Sequence, residues 1–482
     1  MAYSPPNEDT VVVCGGLGDC SDAAELNGGG VTKAAWDDNS PTDFIDTNGG
    51  PVAGAADCSF TTATKVLLSS GMGATYVVIG TLAYVSAGDG GHITPGIYEI
   101  TAHTTDTITC AGIVDDGNND TGVTVNVGGA IDTLQHVFDN DVNDAADYNR
   151  YIYINGVSAG IGTITIAATI DIDTGGGALA SNSWKKIIGC NTDFTPLTNG
   201  NYLTLTAAGT DFAGTPILSI DNLENILLKN IWLKDNDGNG GTPASGEDGL
   251  FIVNNGTPRN VVLDNCKVTN CYRGIFWGDP GGSGLLVIDS FIDVTDYAIR
   301  SIASNGTILN SFLKSASGDY CCFPAYRHST ISNTIIVGGL YGILLNQTDG
   351  GSTVILNCSF YGQTAGCTYN GGVTFTNLIV MNSIVQPESV IDHCFRYGGG
   401  SKYDDYIFTT CTTNNLPTGD DSQDSLAITQ IGFVDPANDD FRLLPTSYLL
   451  NRGMPTPGKT LFTEQGYTTP GAWQRKSFLG ID

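Results

Sequence analysis

Short apolar runs, each broken by one polar residue, recur along residues 226–385. The runs hold three to five residues, mostly Ile, Val, Leu and Phe, and each pair of runs is centred on Asn or Ser. The centres are Asn230 in ILLKNIWL, Asn265 in VVLDNCKV, Ser290 in LVIDSFID, Ser311 in TILNSFLK, Asn333 in TISNTIIV, Asn357 in VILNCSFY and Asn377 in VTFTNLIV. They are spaced by 35, 25, 21, 22, 24 and 20 residues. Two positions before them stand Leu228, Leu263, Ile288, Leu309, Ile331, Ile355 and Phe375, all large and apolar. Runs this short predict strands rather than helices. Clusters between them, such as Asn254-Asn255-Gly256 and Asp279-Pro280-Gly281-Gly282, predict turns. Self-similarity of this kind predicts stacked repeat units.

A coil of strands and turns predicts an all-β chain folded as a parallel β-helix, a solenoid whose inward side chains form continuous apolar columns. The Asn/Ser column has a physical reason. A corner between two strands needs an unusual backbone, and Asn tolerates the left-handed region better than other non-glycine residues. Stacked amides can also bond from coil to coil. A leucine-rich-repeat horseshoe has a similar period and an Asn column, but it requires LxxLxL spacing and a following helix, neither of which recurs here. Two positions break the predicted register: Asp293 and Lys314 fall where Val268 and Ile336 look inward.

Along the chain, residues 1–64 are rich in Pro, Gly, Asn and Asp and read as an irregular leader or attachment arm. Residues 65–130 contain strand-like runs with hairpin turns and read as a small β module. Ile131, Leu134, Val137 and Phe138 share one face of a short helix, placed where it would cap the open end of the stacked strands. The β-helix is expected over 131–415, and a non-repetitive cap or tail over 416–482.

The coils resemble right-handed parallel β-helix repeat proteins, the superfamily of pectate lyases, polygalacturonases and phage tailspikes. The residues that carry the resemblance are the helix at 131–138 followed by YIYINGV and KKIIGCN, and the tail, where Asp440-Phe441-Arg442-Leu443 precedes Gly471-Ala472-Trp473. It covers roughly residues 131–475. It implies the fold, and for tailspikes a trimer. It does not select a function, because this architecture carries lyases, hydrolases, adhesins and structural particles.

Charge narrows the field. With 50 Asp and Glu against 20 Lys and Arg, the formal net charge is −30, which repels nucleic acid. The first residues show neither a basic nor an apolar signal region, and no run has the length of a membrane span. A site of action on a virion or an extracellular surface, reached after cytoplasmic synthesis, is therefore expected. The 13 cysteines form no CxxC pair, and their odd number argues against a fully paired framework. Cys266 and Cys358 fall in one apolar column and read as small core residues; Cys14 and Cys20 are the nearest candidates for a disulfide.

Chemistry is sparse. Asp235-Asn236-Asp237-Gly238-Asn239-Gly240 matches the first half of a calcium loop, making Asp235, Asp237 and Asn239 candidate Ca2+ ligands, although Gly246 stands where the closing Glu would be. Asp293, Asp296 and Arg300 on one coil, with Asp319 and Arg327 on the next, could be brought together by stacking. No catalytic motif of the resembled families matches residue by residue, so no catalytic residue is assigned. Trp232, Tyr272, Trp277 and Tyr341 are expected to face outward and could stack on sugars. The function expected is a structural or host-interaction protein, such as a phage appendage, decoration protein or adhesin. It would self-associate, with its N-terminal arm bound to other structural proteins and surface polysaccharide as a further partner. The alternatives are a polysaccharide lyase or glycoside hydrolase, and glycan binding without cleavage.

Overall fold

The computed structural model describes residues 10–13, most of 58–127 and 151–386, and shorter segments from 395 to 446. These residues form strands and turns, with no α-helix. None of them forms a helix long and apolar enough to cross a membrane. The expected capping helix at 131–138 lies outside the described residues, as do Cys14 and Cys20. The chain divides into two compact units.

The first unit holds an antiparallel module. Cys58–Thr61 pairs with Val66–Leu68 and with Asp120–Val123, and Leu82–Val85 pairs with Gly96–Glu99 and Val125–Val127. Its core is closed by Phe60, Leu67, Ile93, Tyr98 and Ile108, all essentially without exposure. The module is inserted between two neighbouring strands of a parallel sheet. Thr10–Val13 pairs in parallel with Tyr151–Asn155, which pairs in turn with Lys185–Cys190. The leader thus contributes a solenoid strand, which its lack of periodicity had concealed.

The second unit is built of parallel coils that stack into three sheets. The first sheet runs through Arg259–Asp264, Ser283–Ile288, Asn305–Leu309, His328–Ser332 and Ser352–Leu356. The second runs through Ile231–Lys234, Lys267–Thr269, Phe291–Val294, Phe312–Ser315, Ile335–Gly338 and Ser359–Tyr361. The third runs through Leu218–Asp221, Asp248–Val253, Arg273–Trp277, Ile299–Ser301, Tyr320–Phe323 and Tyr341–Leu344. The inward columns are the core: Leu263, Val287, Ile308, Ile331 and Ile355 from the first sheet, and Val268, Ile292, Leu313, Ile336 and Phe360 from the second, all fully buried.

This register corrects the sequence alignment by one residue at two coils. The left-handed corner residues are Asn265, Asp289, Asn310, Asn333 and Asn357, with φ near +50°. Ser290 and Ser311 therefore follow the corner rather than form it. The inward residues before it are Val287 and Ile308, not Ile288 and Leu309. With that shift Ile292 and Leu313 point inward, and Asp293 and Lys314 face outward. Asn377 is no corner either, since it pairs with Ser352 inside a strand. Residue type misled the alignment because Ser resembles Asn in polarity, while the corner selects for backbone conformation.

The column after the corner, Cys266, Ser290, Ser311, Thr334 and Cys358, is a buried ladder of its own. The Ser290 hydroxyl donates to the Ile288 carbonyl at 2.7 Å and accepts from the Cys266 N–H at 3.1 Å; Ser311 Oγ accepts from the Ser290 N–H at 3.2 Å. Small hydroxyls and thiols suit this column because they satisfy backbone groups that the corner leaves without a strand partner. In the corner column, Asn333 Nδ2 donates to Asn310 Oδ1 at 3.0 Å. Asp289 interrupts that pattern: a carboxylate has no N–H to pass on, and its Oδ1 is buried without a hydrogen-bond partner among the described residues. Asp289→Asn keeps the left-handed preference and restores a donor. It should stabilise the fold by about 0.5–1.5 kcal/mol, seen as a higher urea midpoint; an unchanged or lower midpoint would show that the carboxylate is already satisfied.

Candidate functional site

The outer side of the third sheet carries a group of polar and aromatic side chains from consecutive coils. Stacking places Asp248 beside Arg273, one coil on, and Phe251 beside Phe276 and then Arg300. Gly274 lets the coils approach here; a β-carbon would lie 2.4 Å from the Ala298 carbonyl oxygen. Arg273 holds Asp248 bidentately, with Nε and Nη2 donating at 2.7 and 2.9 Å to its two oxygens. The guanidinium also lies 3.9 Å from the centre of the Phe276 ring, and Phe276 stacks on Phe251 at 5.3 Å. Burial pushes the Asp248 carboxyl above its ordinary range, and Arg273 pulls against that shift.

Beyond this pair the charges open outward. The Arg300 guanidinium lies between two rings, 5.2 Å from Phe276 and 5.3 Å from Tyr297. Among the described residues it makes no salt bridge. Tyr297 begins a stack, with Tyr320 at 6.2 Å and Tyr341 a further 5.7 Å along. Nearly parallel rings one coil apart turn their faces to each other. The stack therefore offers its edges and hydroxyls outward, which suits hydrogen bonding more than face stacking. In the turn before the sheet, the Asp296 carboxylate lies beside the Tyr272 hydroxyl, which burial and that charge hold above its ordinary range. Burial raises the Asp296 carboxyl above its usual range, and Asp319 on the next coil adds to the rise. Arg273 and Arg300 oppose it.

Stacking thus brings Asp296, Arg300 and Asp319 together, as their spacing suggested. Asp293 does not join them. It lies on the second sheet, 3.5 Å from the Lys314 ammonium. Arg327 lies outside the described residues. Trp277 is the opposite of what was expected: its ring points inward and is fully buried, filling the core. Tyr272 and Tyr341 do belong to the site, although Tyr341 is itself buried in the stack. Trp232 faces outward on the second sheet, where Lys267 sits 4.0 Å over its ring. Asp248, Arg273, Tyr297 and Tyr320 went unrecognised in the sequence. The available signal was their spacing: Asp248 and Arg273, like Tyr297 and Tyr320, are one coil apart.

Of the calcium-loop candidates, Asp235 is buried at the end of a second-sheet strand, and its N–H donates to the Thr269 carbonyl at 3.3 Å. Asp237 and Asn239 lie outside the described residues. Among the described residues no group of three or more His, Cys, Asp or Glu side chains is placed to hold a metal. The cysteines whose side chains are described are buried, Cys266 and Cys358 in the column their sequence context indicated.

The chain is a parallel β-helix. No family model matches its sequence, and no curated protein does. Solved structures similar to it include pectate lyase Pel9A, with 11% identity over 72% of this chain and 92% of that one and a TM-score of 0.42. Endo-xylogalacturonan hydrolase from Aspergillus tubingensis has 11% identity over 61% of this chain and 95% of that one, with a TM-score of 0.29. The tailspike protein gp49 from Pseudomonas phage LKA1 has 13% identity over 78% of this chain and 66% of that one, with a TM-score of 0.20. At these identities the likeness is one of fold.

Proposed function

We infer that the protein binds polysaccharide along the outer edge of the third sheet, as an appendage or adhesin that contacts a cell-surface glycan. The observation that carries this reading is Arg300, a guanidinium seated between two aromatic rings without a carboxylate partner among the described residues. Beside it lie the tyrosine edges and the carboxylates of Asp296 and Asp319. Sugars present dense hydroxyls and C–H faces, and a planar five-donor fork flanked by aromatic rings and carboxylates meets both. The net charge of −30 disfavours nucleic acid as the ligand.

A second reading is cleavage at the same place. Glycoside hydrolysis uses two carboxylates flanking the scissile bond, and the half-buried Asp296 with Asp319 on the next coil supplies such a pair. One experiment addresses both. The purified chain is titrated with a panel of bacterial surface polysaccharides, and the products are assayed for new reducing or unsaturated ends. Binding is expected to weaken about tenfold or more in Arg300→Ala, equivalent to about 1.4 kcal/mol. If ends appear, Asp296→Asn and Asp319→Asn should abolish them while retaining binding. Equal affinity of Arg300→Ala and the parent for every glycan bound would remove this edge as the site.

A further inference from the structure

Among the described residues, the tail adds Gln423–Asp424 to the second sheet beside Thr412–Thr413 and then packs a hairpin against that sheet. Phe433–Asp435 and Asp440–Leu443 form an antiparallel hairpin, which includes the Asp-Phe-Arg-Leu segment. A lone two-stranded hairpin is marginal in water, and this one is sealed against the second sheet. Phe433 and Phe441 join Phe312, Ile335 and Val337 in one buried cluster, with Phe291, Tyr361 and Leu443 around it. At its tip Asp439 has a left-handed backbone, φ +60°. The carboxylate of Asp439 lies 2.8 Å from Lys314 Nζ, and Asp293 Oδ2 lies 3.5 Å from the same nitrogen. Lys314 stacks between Asp293 and Val337 on consecutive coils. One amine, the carboxyl it touches and a second carboxyl therefore meet beside an aromatic cluster.

We propose that Lys314 and Asp439 join covalently, Lys314 Nζ to Asp439 Cγ, in an intramolecular amide bond that staples the C-terminal hairpin to the second sheet, with Asp293 carrying the proton. The ion pair first becomes neutral by passing one proton from the ammonium to a carboxylate. The free amine then attacks the Asp439 carboxyl carbon, forming the C–N bond. Asp293 takes a proton from the attacking nitrogen and gives it to a departing oxygen, the C–O bond breaks, and one water leaves. Ammonium plus carboxylate give amide plus water, so no oxidant, reductant or activating group is needed. In free solution this condensation is slow. Here the hairpin fixes both partners in contact, and well-oriented intramolecular reactions reach effective molarities of about 10⁵–10⁸ M. The groups that bear on the step are Asp293, Asp439, Lys314 and, more distantly, Lys267. Burial raises the Asp293 carboxyl, Lys314 pulls it back and the neighbouring Asp439 charge adds to the rise. The same two carboxylates hold the Lys314 ammonium above its ordinary range, so the proton transfer is the slow part of the step.

The test is the intact mass of the purified full-length chain, followed by a tryptic map. The expected mass is lower than the sequence mass by one water. Trypsin should fail to cut after Lys314 and release a branched peptide that joins the Lys314 and Asp439 segments. Asp293→Asn should leave the chain folded and at its full mass. Asp439→Asn should give the same cross-linked product with loss of ammonia in place of water. A parent chain at its full mass after long incubation, cut normally at Lys314, would show an ion pair and no bond, and would overturn the proposal.

Discussion

Replacing Arg273 by alanine should destabilise the second unit by about 3–5 kcal/mol, the range for removing one partner of a buried ion pair. The cost comes from what remains. The Asp248 side chain is only 3% exposed and loses both donors that satisfy its oxygens. Water cannot replace them, so the carboxylate is stranded unless it takes a proton. The sign of the pH dependence follows. Burial already holds the native Asp248 carboxyl above its ordinary value of 3.8, and Arg273 is the largest influence opposing the rise. Without Arg273 the folded-state value rises further, while the unfolded value is unchanged. An acid whose folded value is raised binds its proton more tightly when folded. The penalty is therefore full at pH above that raised value and fades as pH falls through it. Urea midpoints of Arg273→Ala should accordingly approach those of the parent on mild acidification. Arg273→Ala combined with Asp248→Asn should recover much of the loss at neutral pH. A deficit under about 1 kcal/mol, the scale of an exposed pair, with no pH dependence would contradict a charged, buried Asp248.

Phe441→Ala should produce a loss of similar size in a different place. The ring is 2% exposed and contacts Phe433 at 5.5 Å, Tyr361 at 5.1 Å and Phe312 at 6.2 Å between centroids. Truncating a buried Phe costs about 3–5 kcal/mol in transfer and cavity terms. Because the hairpin is attached mainly through this cluster, the loss should be local. Amides of Phe433–Asp435 and Asp440–Leu443 should lose their hydrogen-exchange protection while the stacked strands keep theirs. Uniform loss across coils and hairpin alike would mean that the hairpin is not a separable attachment. Because the amide can form only while the hairpin holds Lys314 and Asp439 in contact, Phe441→Ala should also lower the yield of the branched peptide.

The sequence made the solenoid legible because its core residues repeat under one constraint. Leu263, Ile331 and Ile355 are buried for the same reason at each coil, and that reason leaves a period. The corner was less legible. Asp289-Ser290 and Asn310-Ser311 each offer two small polar residues, and only the backbone angle tells which one turns. The site was legible in part. Asp296, Arg300 and Asp319 could be anticipated from adjacent coils. Asp248 and Arg273 left only a spacing of one coil as their signal, and coils of uneven length blur which outward residues stand side by side. Trp277 shows the converse: a large aromatic next to a Gly-rich turn suggests exposure, whereas parity along its strand sends it into the core.

The position of the antiparallel module has a consequence for biosynthesis. Thr10–Val13 is made before its strand partner Tyr151–Asn155, with the whole module between them. It must wait, unpaired, while the whole module emerges, and a nascent strand with open edges is exposed to wrong partners during that interval. The module can fold on its own contacts in the meantime, bringing its two ends nearer and shortening the effective loop that remains to be closed. Thr10–Val13 can therefore take its place in the ladder only after the module and Tyr151–Asn155 have been made.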